Sequence, residues 1–89
     1  MGNKDTPYWV YILQCADDSL YTGVSSDVPR RTATHNAGKG AKYTRARLPV
    51  KLVYQELCGN KSAALRREMA IKRLTRQEKL ALIDGYNPT

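Results

Sequence analysis

The stretch WVYILQCADDSLYTG, residues 9–23, constrains the fold most. Two short apolar and aromatic runs flank Ala16-Asp17-Asp18-Ser19. Asp and Ser side chains bond their own backbone and favour a reversal. The runs therefore predict a β-hairpin over residues 8–14 and 20–25. Side chains alternate along a strand, so Trp9, Tyr11 and Leu13 share one face of the first strand. Tyr21, Gly23 and Ser25 share one face of the second. A five-residue loop (15–19) pairs Leu13 with Tyr21 and Tyr11 with Gly23, and puts both phenols on one side. A four-residue loop (16–19) opposes them, and the sequence leaves both registers open. Gly23 beside Tyr21 lets a backbone or a ligand approach closely.

Past the hairpin, SSDVPRR opens a helix, with Asp27 as N-cap, Pro29 in the first turn and Gly38 at the end. GKGAKYTRARLP reads as a basic loop with room for a short helical turn. VKLVYQEL, residues 50–57, alternates and predicts a third strand. GNKSAALRREMAIKRL predicts a helix capped by Asn60 or Ser62, and TRQEKLALIDG another from Thr75 to Gly85. The order β-β-α-β-α-α defines an α+β domain, a three-stranded, mainly antiparallel sheet flanked by helices. Residues 1–7 read as a flexible tail and 8–89 as one domain.

A chain of 89 residues buries only ~60–65% of its extended surface, so the core must be small. No apolar run approaches the ~20 residues of a membrane span, so no membrane partner is expected. MGNKDTP lacks the apolar stretch of a secretory signal. Cys15 and Cys58 lack metal-ligand spacing and read as near-core thiols of a cytoplasmic protein.

Charge narrows the partner. Lys and Arg number 15 against 8 acids, a net +7. Residues 1–29 hold one base and four acids, −3, whereas residues 30–89 hold 14 bases and four acids, +10. Such a field favours a polyanion, nucleic acid first.

Three further residues stand out. On a helix over 62–74 at ~100° per residue, with Ala64 at ~0°, Ile71 falls near ~340°, Leu65 near ~100° and Met69 near ~140°. Glu68, near ~40°, lies inside that apolar arc. A carboxylate there costs free energy unless it is paired or binds a metal. An ion pair with Lys72 is the simpler account; a metal ligand or acid–base group is the functional one. Arg31 and His35, four apart, share a helix face. Arg forks onto phosphate oxygens, and His contacts phosphate or carries a proton. A solvated basic face is the simpler account of that pair.

Taken together these residues meet a pattern. Val10-Tyr11, followed ten residues later by Tyr21-Thr22-Gly23, resembles the paired motif of the GIY-YIG nuclease superfamily. Arg31 lies ten residues past Tyr21, His35 four further, and Glu68 on a later helix, as in that family. The GxGAKYTR loop, residues 38–45, and Asn87-Pro88 resemble its small stand-alone bacterial members. Trp9 and Thr22 replace a motif glycine and isoleucine, neither of which supplies a catalytic group.

The resemblance implies a metal-dependent endonuclease that hydrolyses phosphodiester bonds with little sequence specificity. Its implied partner is nucleic acid, DNA before RNA. It implies that Glu68 holds one divalent ion, Mg²⁺ or Mn²⁺, among several waters. Arg31 would stabilise equatorial charge. One of Tyr11 and Tyr21 would take the proton of the attacking water, and the other would orient it. His35 would assist or hold a phosphate. Lys39, Lys42, Tyr43, Arg45 and Arg47 would form the nucleic-acid-binding loop, with Gly23 and Asn87 in auxiliary roles. A phenol of pKa ~10 is ionised in about one molecule per thousand at pH 7, so a tyrosine base predicts cleavage that rises from pH 7 to 9. The rival expectation is a nucleic-acid-binding module that keeps the fold without cutting.

Overall fold

The computed structural model describes residues 6–86. In chain order the elements are β1 (Trp9–Gln14), β2 (Leu20–Ser25), α1 (Val28–Asn36), α2 (Lys42–Arg45), β3 (Lys51–Leu57), α3 (Lys61–Lys72) and α4 (Arg76–Asp84). The strands form one antiparallel sheet in the order β2-β1-β3. The short α2 is the helical turn of the basic loop.

Why β1 is central follows from its composition. Val10, Tyr11, Ile12 and Leu13 are consecutive and all buried. A strand apolar on both faces needs cover on both. Tyr11 and Leu13 join Cys15, Val28 and Val50 in one core. Val10 and Ile12 join Tyr54 and Ile71 in the other. Thus α1 supplies one face through Val28, and α3 the opposite face through Ile71. Truncating Ile12 to Ala would cost about 2–5 kcal/mol, because the space left cannot collapse between two packed layers.

The hairpin adopts the longer loop. Leu13 pairs with Tyr21 and Tyr11 with Gly23, which places both phenols on one face. Asp17 accepts from the backbone and hydroxyl of Ser19. Asp18 takes a left-handed φ of 68°, a conformation that Asp tolerates better than most side chains.

Strand β3 departs from simple alternation. Ile12 pairs with Tyr54 but Leu13 pairs with Leu52, with a register shift between them. The extra residue, Val53, is a bulge that swings the strand's faces by one position. Leu52 therefore packs in the core of Tyr11, while Val53 and Tyr54 pack in that of Ile12.

The caps settle where the helices begin. Asp27 accepts from the Arg30 backbone and Asn60, not Ser62, accepts from that of Ala63. Thr75 and Glu78 cap each other's backbone in a capping box. The expected apolar arc of α3 is narrower than the pattern implied. Ala64 and Ile71 are buried, but Leu65 is 39% and Met69 55% exposed. A three-stranded sheet is narrow, and α3 meets it along a single line of residues. On α4, Leu82 and Ile83 reach the core while Leu80 stays outside.

Candidate active site

The site grows from the face of β1 that carries Tyr11. Its ring lies across the neighbouring strand at Gly23. A Cβ on Gly23 would stand 2.7 Å from the phenol oxygen and 2.8 Å from Cζ. The glycine therefore makes room for Tyr11 itself rather than for a ligand, which corrects half of the expectation placed on it. The phenol oxygen meets His35 Nε2 at 3.0 Å. His35 projects from α1 and is fully buried. Its Nδ1 lies 2.8 Å from Thr44 Oγ1, and Thr44 in turn donates to the Ala41 carbonyl at 2.9 Å. A Cβ on Gly40 would collide with the same imidazole, 2.8 Å from Cγ. Two glycines thus admit the two rings of the pair.

The other expected residues gather around it. Arg31 sits one turn before His35 on α1. Burial pushes the Tyr11 phenol up to about 12, and the Arg31 guanidinium works against that rise. The nearby Tyr21 phenol and Glu68 carboxylate add to it. Burial and the Arg31 charge together hold His35 below its ordinary value, so the imidazole is neutral at pH 7. The Tyr21 ring centroid lies 6.5 Å from that of Tyr11 and 5.2 Å from that of His35. Tyr43 stacks on Tyr21 at 6.1 Å and 25°. Leu20, Tyr21, Thr22, Tyr43 and Lys72 line a cleft of about 280 Å³. Glu68, its side chain 17% exposed, pairs through Oε2 with Lys72 Nζ at 3.3 Å. Tyr11, Tyr21, Arg31, His35 and Glu68 therefore converge, although they come from four elements.

The basic loop divides. Lys39, Lys42 and Arg45 are exposed and have no acidic partner among the described residues. Arg47, expected beside them as a phosphate contact, is committed elsewhere. Its Nε bonds Asp17 at 3.1 Å and a terminal nitrogen donates to the Tyr43 carbonyl at 2.8 Å. Its guanidinium lies 3.8 Å over the Tyr43 ring. Arg47 thus braces Tyr43 against the β1–β2 turn. Asn87 lies outside the described residues.

Sequence reasoning missed Thr44 and Asn36. Asn36 accepts from the Val50 backbone N–H at 2.7 Å and donates to its carbonyl at 2.9 Å. That pins the end of α1 to the start of β3 and closes the loop carrying Thr44. Both contacts span 9–14 residues of chain, so no local period betrays them.

A buried tyrosine–histidine pair, joining the central strand to α1 and flanked by an arginine and a glutamate, thus defines the candidate site of this α+β domain. The GIY-YIG catalytic domain family model matches residues 7–81. This chain belongs to the GIY-YIG family. It is 58% identical to a UPF0213 protein of Staphylococcus haemolyticus, over 86% of this chain and 94% of that one. It is 57% identical to one of Streptococcus agalactiae, over 90% and 91%. Among solved structures it resembles the solution structure of a Bacillus halodurans UPF0213 protein, with 44% identity, a TM-score of 0.59, and 92% and 88% of the two chains covered. The solution structure of the protein EF2693 from E. faecalis aligns with a TM-score of 0.59 at 36% identity, over 100% of this chain and 97% of that one.

Proposed function

We propose that this domain is a metal-dependent endonuclease that hydrolyses phosphodiester bonds in nucleic acid, DNA before RNA, with little sequence preference. One observation carries the reading: the Tyr11 hydroxyl rests 3.0 Å from a neutral imidazole nitrogen while feeling the charges of Arg31 and Glu68. A phenol whose own proton has an acceptor can take a proton from water without ionising first.

In this mechanism a water oxygen bonds to phosphorus and the bond to the leaving oxygen breaks. The water's proton moves to Tyr11 Oη as the Tyr11 proton moves to His35 Nε2, leaving an imidazolium. Arg31 bonds the phosphate oxygens that gain charge. Tyr21, on the cleft wall, orients the water. Lys39, Lys42 and Arg45 hold the flanking backbone without reading sequence.

Glu68 fits a magnesium-type ion. Magnesium is commonly held by one or two carboxylates plus water and substrate phosphate. Glu68 offers one mostly buried carboxylate, and its Oε1 has no partner among the described residues. Bound there, the ion would neutralise charge on the phosphate and the leaving oxygen.

A second reading has its own observation. Lys72 already pairs with Glu68, and a carboxylate neutralised in this way suits a nucleic-acid-binding domain that does not cut. Cleavage of labelled duplex, single-stranded and branched DNA with Mg²⁺ or Mn²⁺ separates the two. The nuclease reading expects metal-dependent cutting that Glu68→Gln lowers at least 100-fold, with binding retained. Binding without cutting by the native protein favours the second reading. Equal cutting by both proteins removes Glu68 from the mechanism.

A further inference from the structure

We propose that Thr44 is a positioning residue: its buried hydroxyl fixes the tautomer of His35, and so directs the Tyr11 proton onto the imidazole. The catalytic part of this inference rests on the nuclease reading; the tautomer itself does not.

The argument is an accounting of protons. The chain Tyr11–His35–Thr44–Ala41 is linked by contacts of 3.0, 2.8 and 2.9 Å. A neutral imidazole has one N–H and one acceptor nitrogen. Thr44 has one hydroxyl proton, with Nδ1 and the Ala41 carbonyl both within its reach. Donated to the carbonyl, it leaves the Thr44 oxygen to accept from His35, which places the imidazole proton on Nδ1. Nε2 is left as an acceptor facing Tyr11. Every proton in the chain then has a partner.

The other tautomer fails this accounting. With the proton on Nε2, the imidazole donates to the Tyr11 oxygen. The Tyr11 proton then has no acceptor among the described residues, and Tyr11 is only 1% exposed. A buried donor without an acceptor is costly. It would also remove the nitrogen that the relay needs.

The surroundings hold Thr44 in place. Its side chain is fully buried, α2 supplies it from a single helical turn, and Gly40 brings the loop directly against the imidazole. The Asn36–Val50 pair fixes the loop's two ends. Arg31 cannot perform this role, because a guanidinium has no acceptor to offer Nδ1.

The chain contains one histidine, so a two-bond ¹H–¹⁵N spectrum of the imidazole is unambiguous. At pH 7.5 the native protein should show the Nδ1-protonated form, and so should Thr44→Ser. Thr44→Val, with similar shape but no hydroxyl, should shift it toward the Nε2-protonated or a mixed form. Tyr11→Phe should leave Nδ1 protonated, since Thr44 is untouched. This last variant decides the matter even where Thr44→Val fails to fold. A native spectrum with Nε2 protonated overturns the proposal, as does a tautomer that moves in Tyr11→Phe or stays fixed in a folded Thr44→Val. In cleavage assays Thr44→Val should lose about 10- to 100-fold in kcat with KM unchanged, and Thr44→Ser should recover most of it. A protein that cuts nothing but shows the expected spectra contradicts the nuclease reading and leaves the tautomer assignment standing.

Discussion

The two faces of the sheet each carry a tyrosine that resists ionisation, and only one of them looks like chemistry. Tyr11 and Tyr54 are both pushed up to about 12, chiefly by burial. Both phenols bond a titratable neighbour: Tyr11 meets His35 at 3.0 Å, and Tyr54 donates to Glu56 at 2.6 Å. The difference lies in the partner. The same Glu56 oxygen is already held by Arg67 at 3.1 Å. His35 is neutral, and its free nitrogen is an acceptor. Around Tyr11 stand Tyr21, Arg31 and Glu68; around Tyr54 stand Tyr86 and the apolar side chains of α3 and α4. A raised phenol therefore marks burial. What distinguishes a site is whether the proton has somewhere to go.

Substituting both tyrosines tests this contrast with the largest effect. Tyr11→Phe should lower single-turnover cleavage by about 100- to 1,000-fold, within the range ordinarily supplied by acid–base groups. Tyr54→Phe should leave cleavage within about twofold and cost about 1 kcal/mol in urea unfolding, the worth of one hydrogen bond. Comparable losses of cleavage in both would erase the distinction between the faces.

A smaller effect separates the arginines of the basic loop. Arg45→Gln should reduce the slope of log affinity against log salt by about 1 for DNA, because one phosphate contact is lost. Arg47→Gln should leave that slope unchanged, its guanidinium being bound to Asp17 and Tyr43. Equal slope changes would return Arg47 to the nucleic-acid interface.

The smallest effect is on stability against pH. His35 lies below its unfolded value of 6.5. The unfolded chain therefore takes up a proton first, and the stability His35 contributes is lost as pH falls below that value. Tyr11 and Tyr54 run the opposite way. Folded they titrate near 12, unfolded near 10. Their contribution is intact below pH 10 and is lost as pH rises toward 12. Urea unfolding across pH 5–11 should show both edges, and Tyr54→Phe should soften only the alkaline one.

Much of this was legible in the chain because local rules carried it. The run Val10–Leu13 announces a strand covered on both sides, and Asp27 and Thr75 announce helix starts, while Asn60 and Ser62 compete for a third. Tyr11, Tyr21, Arg31, His35 and Glu68 stood out by type and spacing. The hairpin register was not legible, because both loops suit Cys15–Ser19; packing of Tyr11 over Gly23 suits only one of them. The role of Arg47 was hidden for a different reason. A loop arginine beside lysines reads as a phosphate contact until the fold brings Asp17, thirty residues away, against it. Leu65 and Met69 misled because helical period reports which residues share a face, and not how wide a face the sheet can cover.

The most direct test of the central claim is the rate of metal-dependent cleavage against pH, from 5 to 9. With Tyr11 near 12, about one phenol in 10⁵ is ionised at pH 7, so direct action of a phenolate predicts a tenfold rise per pH unit up to 9. Relay through Tyr11 to His35 predicts instead that the rate climbs below pH 6.5 and is flat from 7 to 9. A plateau would support the Tyr11–His35 face as the proton acceptor. A rate still climbing at pH 9 would contradict it and restore a tyrosinate as the base.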